Sequence, residues 1–392
     1  MTSTFRRLRW LALGAGLLLL IALATWQLAP PPHERSSESF AGLGEAAGDY
    51  AQARPGTPLA FPADHGPHPD YRIEWWYLTA NLEDEAGTPL GIQWTLFRQA
   101  LAPPGARSDE PTDAPWASRQ LWMAHAALST PQQHLVGERF ARGMSLPERR
   151  AQAGVTVSPF TAWLDHWQLE SLAGESEDAF DHLRVSAQAE DAGQSFGYRL
   201  ELEAEGPLVR HGDDGFSQKS ADGQGSLYYS QPFFQVSGEI EIDGETRPVT
   251  GQAWLDREWS SQLLGANQHG WDWFSLHLDD GTKLMAFRLR GGGQSSDDPS
   301  GHYVSGSWIT PEGELTALDG DMLHLEPLER REVAGRQVPT RWQLTVPERG
   351  LDIEVTARQA ERWMDTAFPY WEGDVSVTGS HPGQGYLEMT GY

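Results

Sequence analysis

The chain has 392 residues, with 55 acidic against 29 basic side chains and a formal charge of −26. That length fits two domains of ordinary size, and 39% hydrophobic with 21% charged residues is a globular composition. Cysteine is absent, which excludes disulfides, thiolate nucleophiles, Cys-ligated zinc, iron–sulfur clusters and the acylated cysteine of a bacterial lipoprotein. The acidic balance argues against a nucleic-acid partner, because phosphates are held by Lys and Arg.

Arg6, Arg7 and Arg9 precede an uncharged run over residues 10–32. A positive start, a short apolar stretch and the small-x-small Ala22-Leu23-Ala24 read as a secretory signal over residues 1–24. The alternative is an uncleaved anchor using residues 10–28, since about 20 apolar residues span a bilayer. Either reading puts the bulk of the protein in the periplasm or otherwise outside the cytoplasm, with the arginines left inside. Residues 25–58, with Pro30, Pro31, Pro32 and scattered Gly, Ser and Ala, read as a flexible linker.

Beyond the linker, short alternating apolar–polar runs broken by Gly, Pro and Asp clusters predict an all-β sandwich or barrel. Strands are expected over 73–82, 91–98, 121–128, 198–205, 235–242, 252–259, 271–278, 283–289, 341–346 and 351–356, with closing strands near Tyr370 and Tyr386. Asp243-Gly244 and Asp280-Gly281 are expected hairpin turns. Long loops are expected at 102–115, 212–225 and 291–301, and a short helix at 358–366. A faint repeat sets Trp76-Tyr77 against Trp273-Phe274. It divides the folded part into domains at 59–245 and 246–392.

Strand geometry sends alternate side chains to opposite faces. On that basis Gln252, Trp254, Asp256 and Glu258 share one face. An acid beside a Trp on an internal face either pairs with a cation, Arg257 or Arg98 being the candidates for Asp256, or stays neutral with a raised pKa, ready to donate a proton. His269, Trp271, Trp273, Ser275 and His277 share another face, which reads as the lining of an apolar ligand cavity or as plain aromatic packing. Glu74 and Trp76 share a face of the first strand. Glu74 is either a structural salt-bridge residue or a helper that pairs with Asp256 as a general acid/base couple. The run from Asp64 to Asp70, with His65 and His68, reads as an ordered loop entering that strand, and no metal site is expected. The sequence has no G-x-S-x-G elbow, P-loop or H-E-x-x-H helix, so serine or metallo-hydrolase chemistry is not expected and no cofactor is called for.

The segments FPADHGPHPDYRIEWWY (residues 61–77), SLYYSQP (226–232), GQAWLDREWSS (251–261) and GYLEMTGY (385–392) resemble the AttH-like family. That family is related to carotenoid 1,2-hydratases (hydroxyneurosporene synthases) and is often labelled secreted hydrolase. The resemblance runs over roughly 59–392. It implies two tandem lipocalin-like, calycin-type antiparallel β-barrels in a bacterial envelope protein, sometimes encoded beside an ABC-transporter permease. It also aligns Asp256 with the aspartate of a small-aromatic-x-Asp motif in the hydratases, with Trp254 where they favour Tyr. Two readings follow. One is a binding protein whose barrel cavity, lined by Trp76, Trp254, Trp271, Trp273 and Tyr229, holds a lipid, isoprenoid or other apolar molecule, with an ABC-transporter permease as its candidate partner. The other is a hydratase that adds water to an isolated alkene, with Asp256 as acid and Glu74 or His269 as helper.

Overall fold

The computed structural model describes residues 47–106, 118–143, 151–291 and 301–392. The expected signal or anchor at 1–24 and the linker up to residue 46 lie outside the described residues, as do most of the loops expected at 102–115 and 291–301. Among the described residues the chain is all-β, with short 3-10 turns at Ala63–His65 and Pro347–Arg349 and no α-helix.

The first sheet contains β1 (Ile73–Asp84), β2 (Pro89–Ala100), β3 (Gln120–Ser129), β4 (His134–Ala141), β5 (Ala153–Val157), β6 (Phe160–Leu164), β7 (Trp167–Ser171), β8 (His182–Asp191) and β9 (Gln194–Ala204). The short β10 (Val209–Arg210) and β11 (Phe216–Gln218) pair with β12 (Gly225–Ile242), which leads into β13 (Glu245–Ser260). The order is β4-β3-β2-β1-β13-β12-β9-β8-β7-β6-β5. The sheet curls until β4 meets β8: the Val136 N–H donates to Asp191 Oδ2 at 3.0 Å. Gly137 permits this approach, since a Cβ there would stand 2.7 Å from that of Ala189. The result is a nearly closed barrel.

The second sheet contains β14 (Gln268–Leu278), β15 (Lys283–Gly291), β16 (Tyr303–Ile309), β17 (Leu315–Asp319), β18 (His324–Val333), β19 (Arg336–Val346), β20 (Leu351–Ala357), β21 (Trp363–Met364), β22 (Tyr370–Gly379) and β23 (Gly383–Met389). Its order, β17-β16-β15-β14-β23-β22-β20-β19-β18 with β21 beside β22, makes a half-barrel. In both sheets the first strand pairs antiparallel with its own hairpin partner on one side and with the last strand on the other. The internal repeat is therefore real, but its register is one residue off the sequence reading. Tyr77, not Trp76, is the counterpart of Trp273, since each faces the other sheet. A one-residue slip exchanges the two faces of a strand.

Three further expectations change. The division at 245–246 falls at the end of a hairpin turn, where Asp243 and Gly244 both take positive φ (51° and 81°) and reverse β12 into β13 of the same sheet. The sheets change between Ser260 and Gln268. Residues 358–366 are not helical. There β21 pairs with β22, and Arg362 reaches across to the first sheet, donating from Nη2 to Thr130 O at 2.6 Å. The described end of the linker is held in place: Ala51 N–H donates to Asp70 O at 2.9 Å, and the Ser261 hydroxyl donates to Ala51 O.

Alternation sorts most of the apolar residues into three cores, with a small fourth cluster of Ala127, Met364 and Tyr370. Trp76, Leu78, Ala253, Leu255, Tyr229 and Trp259 fill the first barrel. Phe274, Leu276, Trp342 and Leu387 fill the second. A third core, with Tyr77, Tyr228, Trp254, Trp273 and Phe287, joins the outer face of the first barrel to the second sheet.

Candidate active site

The expected cavity exists, but it lies in the joint between the sheets and not inside a barrel. The barrel interior is filled by its own Trp, Leu and Tyr side chains, so the space opens where two outer faces meet. It measures about 140 Å³ and is mostly apolar. Trp271, Trp273 and Phe287 line it from the second sheet, and Trp75, Tyr77 and Phe97 from the first. Half-buried Trp75, Phe97, Trp271 and Phe368 border it.

Asp256 lines this cavity from β13, directly across from Tyr77. Its Oδ1 accepts from the Ser230 hydroxyl and from Trp254 Nε1–H, the latter at 2.6 Å. An indole N–H can only donate, so Oδ1 is an acceptor and a neutral Asp256 carries its proton on Oδ2. Burial pushes the pKa up to about 7, against the pull of those hydrogen bonds, and nearby Glu258 adds to the rise. Behind Ser230 stands His211, fully buried, with Nε2 2.7 Å from Ser230 Oγ and Nδ1 2.8 Å from Ser307 Oγ. Burial, then the Lys219 charge, lowers the His211 pKa to about 3, so the ring is neutral at ordinary pH. Ser230 spends its hydrogen on Asp256, so His211 Nε2–H donates to Ser230 and Nδ1 accepts from Ser307. A directed chain, Ser307 to His211 to Ser230, thus ends on Asp256 and fixes its orientation.

Two more acids sit close by. Glu388 lines the cavity and accepts from Trp271 Nε1–H at 2.6 Å. Glu372 is its direct cross-strand neighbour and accepts from the Tyr77 hydroxyl at 2.5 Å. Burial first, then mutual repulsion, raises the Glu372 pKa well above the usual carboxylate range. Burial first, with Glu258 adding to it, also raises that of Glu388. Glu258 differs from both, being ion-paired to Lys219 Nζ at 2.9 Å.

The other sequence candidates separate cleanly. Trp271 and Trp273 line the cavity, and Trp254 supports Asp256 from behind. Trp76 and Tyr229 face the barrel interior, where they bond to His65: the Trp76 Nε1–H donates to its carbonyl at 2.9 Å, and the Tyr229 hydroxyl is 2.7 Å from its Nδ1. Glu74 borders the cavity, but its fully buried carboxylate is locked between Arg98 and Arg257 and accepts from His68 N–H at 3.0 Å. Burial alone would raise its pKa; Arg257, His68 and Arg98 outweigh that and hold it far below the usual range. The two arginines expected as partners of Asp256 thus belong to Glu74, on the opposite face of the sheet, and Glu74 is a structural anion with no proton to offer. His269 is exposed and does not line the cavity.

Sequence reasoning passed over Glu388, Glu372 and Tyr77. One signal could have found the first. GQAWLD at residues 251–256 recurs as GQGYLE at 383–388, placing Glu388 where Asp256 stands. The second sheet makes the equivalence physical, since Asp256 pairs with Tyr77 and Glu388 with Trp273.

Fold and site together define a tandem β-barrel protein with an acidic, aromatic cavity at its internal joint. The chain belongs to the AttH-like family, which it matches over residues 52–392. An AttH protein of Nitrosomonas europaea is 36% identical, with a TM-score of 0.72 over 87% of this chain and 99% of that one. Kievitone hydratase from Nectria haematococca shares the fold at 15% identity and a TM-score of 0.59, covering 87% of this chain and 95% of its own. CghA, solved with Sch210972, does so at 13% and 0.53, covering 89% and 97%. No curated protein matches the chain.

Proposed function

We propose that this protein is an acid catalyst of the hydratase type, adding water across an isolated alkene in a largely apolar ligand, with Asp256 as the proton donor. The observation that carries this reading is Asp256 itself, a buried acid that keeps its proton up to about pH 7 on the wall of an aromatic cavity. Protonating one alkene carbon leaves a tertiary cation. The faces of Trp271, Trp273 and Trp75 favour such a cation by cation–π attraction, worth about 2 kcal/mol when water is excluded. The fold shared with kievitone hydratase supports the same reaction class.

The cavity limits the ligand. An engineered void of about 150 Å³ takes benzene, so about 140 Å³ suits the branched end of an isoprenoid, with the remainder leaving past Trp75 and Phe368. The test is incubation of the full chain with citronellol and with an acyclic carotenoid in isotopically labelled water. A labelled tertiary alcohol, absent with Asp256→Asn, is expected. No product from either alkene would defeat the hydratase reading.

The mostly apolar lining favours a second reading, a carrier that binds such a molecule and releases it unchanged. In that case a co-purified lipid survives in Asp256→Asn. The proposed setting for both is the bacterial periplasm, with residues 1–24 as a signal or 10–28 as an anchor, and an ABC-transporter permease as the carrier's partner. Fractionation and cross-linking in cells test these two points.

A further inference from the structure

We propose that Glu388, paired with Glu372, is the second proton-handling group of this cavity and takes the proton from the water that adds to the ligand. The inference rests on the hydratase reading, with Asp256 as the acid. Three observations carry it. Glu388 lines the same cavity as Asp256. Glu372 and Glu388 are directly opposite on β22 and β23, Glu372 fully buried and Glu388 half-buried at the cavity wall, and neither has a salt-bridge partner among the described residues. Among the described residues, no donor reaches Glu372 Oε2 with hydrogen-bond geometry.

Directly opposed residues on antiparallel strands have Cβ atoms about 5 Å apart. Two carboxyls at that spacing in an apolar joint cannot both ionise, so the pair retains a proton and titrates as a unit. The neighbouring hydroxyls do not release it from this constraint. Tyr77 already donates to Glu372 Oε1. Tyr370 lies 2.9 Å from His125 Nδ1, and the other ring nitrogen lies 3.1 Å from Glu138 Oε1. The Glu138 carboxylate claims the Nε2 hydrogen, so Nδ1 accepts from Tyr370. Around the pair, Glu258 with its Lys219 partner faces Glu388, while Tyr198 and Tyr386 face Glu372.

The reaction balances with these two stations. The alkene π pair takes the proton from Asp256, forming a C–H bond and leaving Asp256 as carboxylate. A water lone pair closes on the cation to give an oxonium. Glu388, as carboxylate, takes one proton from it, leaving the alcohol. The proton then returns from Glu388 to Asp256 through water, and the net change is one water added.

The test combines two readouts on the full chain. In the first, glutamate carboxyls are isotopically labelled so that infrared bands of protonated Glu separate from those of Asp256, and pH is scanned from about 5 to about 9. The labelled bands should disappear in two steps. Glu388→Gln and, separately, Glu372→Gln should reduce these to one while the Asp256 band stays. In the second, citronellol hydration should show a bell-shaped pH profile. Glu388→Gln should lower turnover about 100-fold and remove the acidic limb, with citronellol binding, read by tryptophan fluorescence, within about twofold of wild type. Absence of protonated Glu bands, or titration unchanged by Glu388→Gln, overturns the pair. If Asp256→Asn abolishes turnover while Glu388→Gln keeps it, the base role fails and the acid stands. If wild type hydrates nothing, the acid reading fails, and the infrared result still judges the pair.

Discussion

Asp256 and Glu388 hold the same place in the two halves of the molecule. Each sits on the last strand of its sheet, opposite an aromatic residue of the first strand, and both reach one cavity. The joint between the sheets thus gathers acids that an ordinary core would exclude, and their cost to stability is measurable.

Replacing Asp256 with Asn should stabilise the protein at high pH. Folded Asp256 releases its proton at about pH 7, whereas an unfolded Asp does so near 4. Below about pH 4 both states hold the proton and there is no penalty. Between about 4 and about 7 only the unfolded state has lost it, so stability falls with pH, and above that the penalty is full. A shift of this size corresponds to roughly 4 kcal/mol. Urea midpoints at about pH 4 and about pH 8 should therefore be similar for wild type and Asp256→Asn at the lower pH, and several kcal/mol apart at the higher.

Glu74 should behave in the opposite sense. Its depressed pKa means the ion pairs with Arg98 and Arg257 stabilise the fold above the ordinary Glu range and are lost as pH falls below it. Glu74→Gln leaves two buried guanidinium groups uncompensated and should destabilise by about 3–5 kcal/mol. A neutral-pH midpoint unchanged in this variant would contradict the assignment of Glu74 to structure.

Removing the hydroxyl of Ser230 takes one donor from the ionised form of Asp256. Ser230→Ala should raise the Asp256 titration by roughly one pH unit, since a hydrogen bond to a charged group contributes about 1.5–3 kcal/mol. The shift is read from the infrared carboxyl band or from the alkaline limb of a pH–rate profile. A downward shift would mean that the chain from Ser307 through His211 does not end on Asp256.

The two sheets should melt together. Tyr77 to Glu372, Arg362 to Thr130, and Asn81 Nδ2–H to Gly385 O at 2.9 Å cross the joint, and a core of buried aromatics fills it. Calorimetry should give one transition, and Tyr77→Phe should lower its midpoint by the equivalent of about 1–3 kcal/mol. Two resolved transitions would mean independent barrels.

Much of this fold is legible in the sequence because alternation is a local signal. The strands carrying Tyr77, Asp256 and Trp273 all read correctly from their own residues. The family motifs supplied the tandem arrangement. What alternation cannot reveal is which face is inside. Trp76 and Tyr77 look equally internal, and only the second sheet, packing on the outside of the first, buries both. The same ambiguity put Tyr229, which faces the barrel interior, in the expected cavity, and sent the ligand into the barrel. Glu74 stayed open between ion pair and helper because its partner Arg257 is 183 residues away in the chain, and alternation alone does not say which acid that arginine meets.

The central claim is that Asp256 waits in its protonated form beside an apolar cavity. The most direct measurement is the infrared difference between wild type and Asp256→Asn, recorded through a pH titration. A protonated carboxyl band that is present at about pH 6, fades near pH 7 and is missing in the variant is the predicted result. A spectrum in which Asp256 is already ionised at about pH 5 would contradict it.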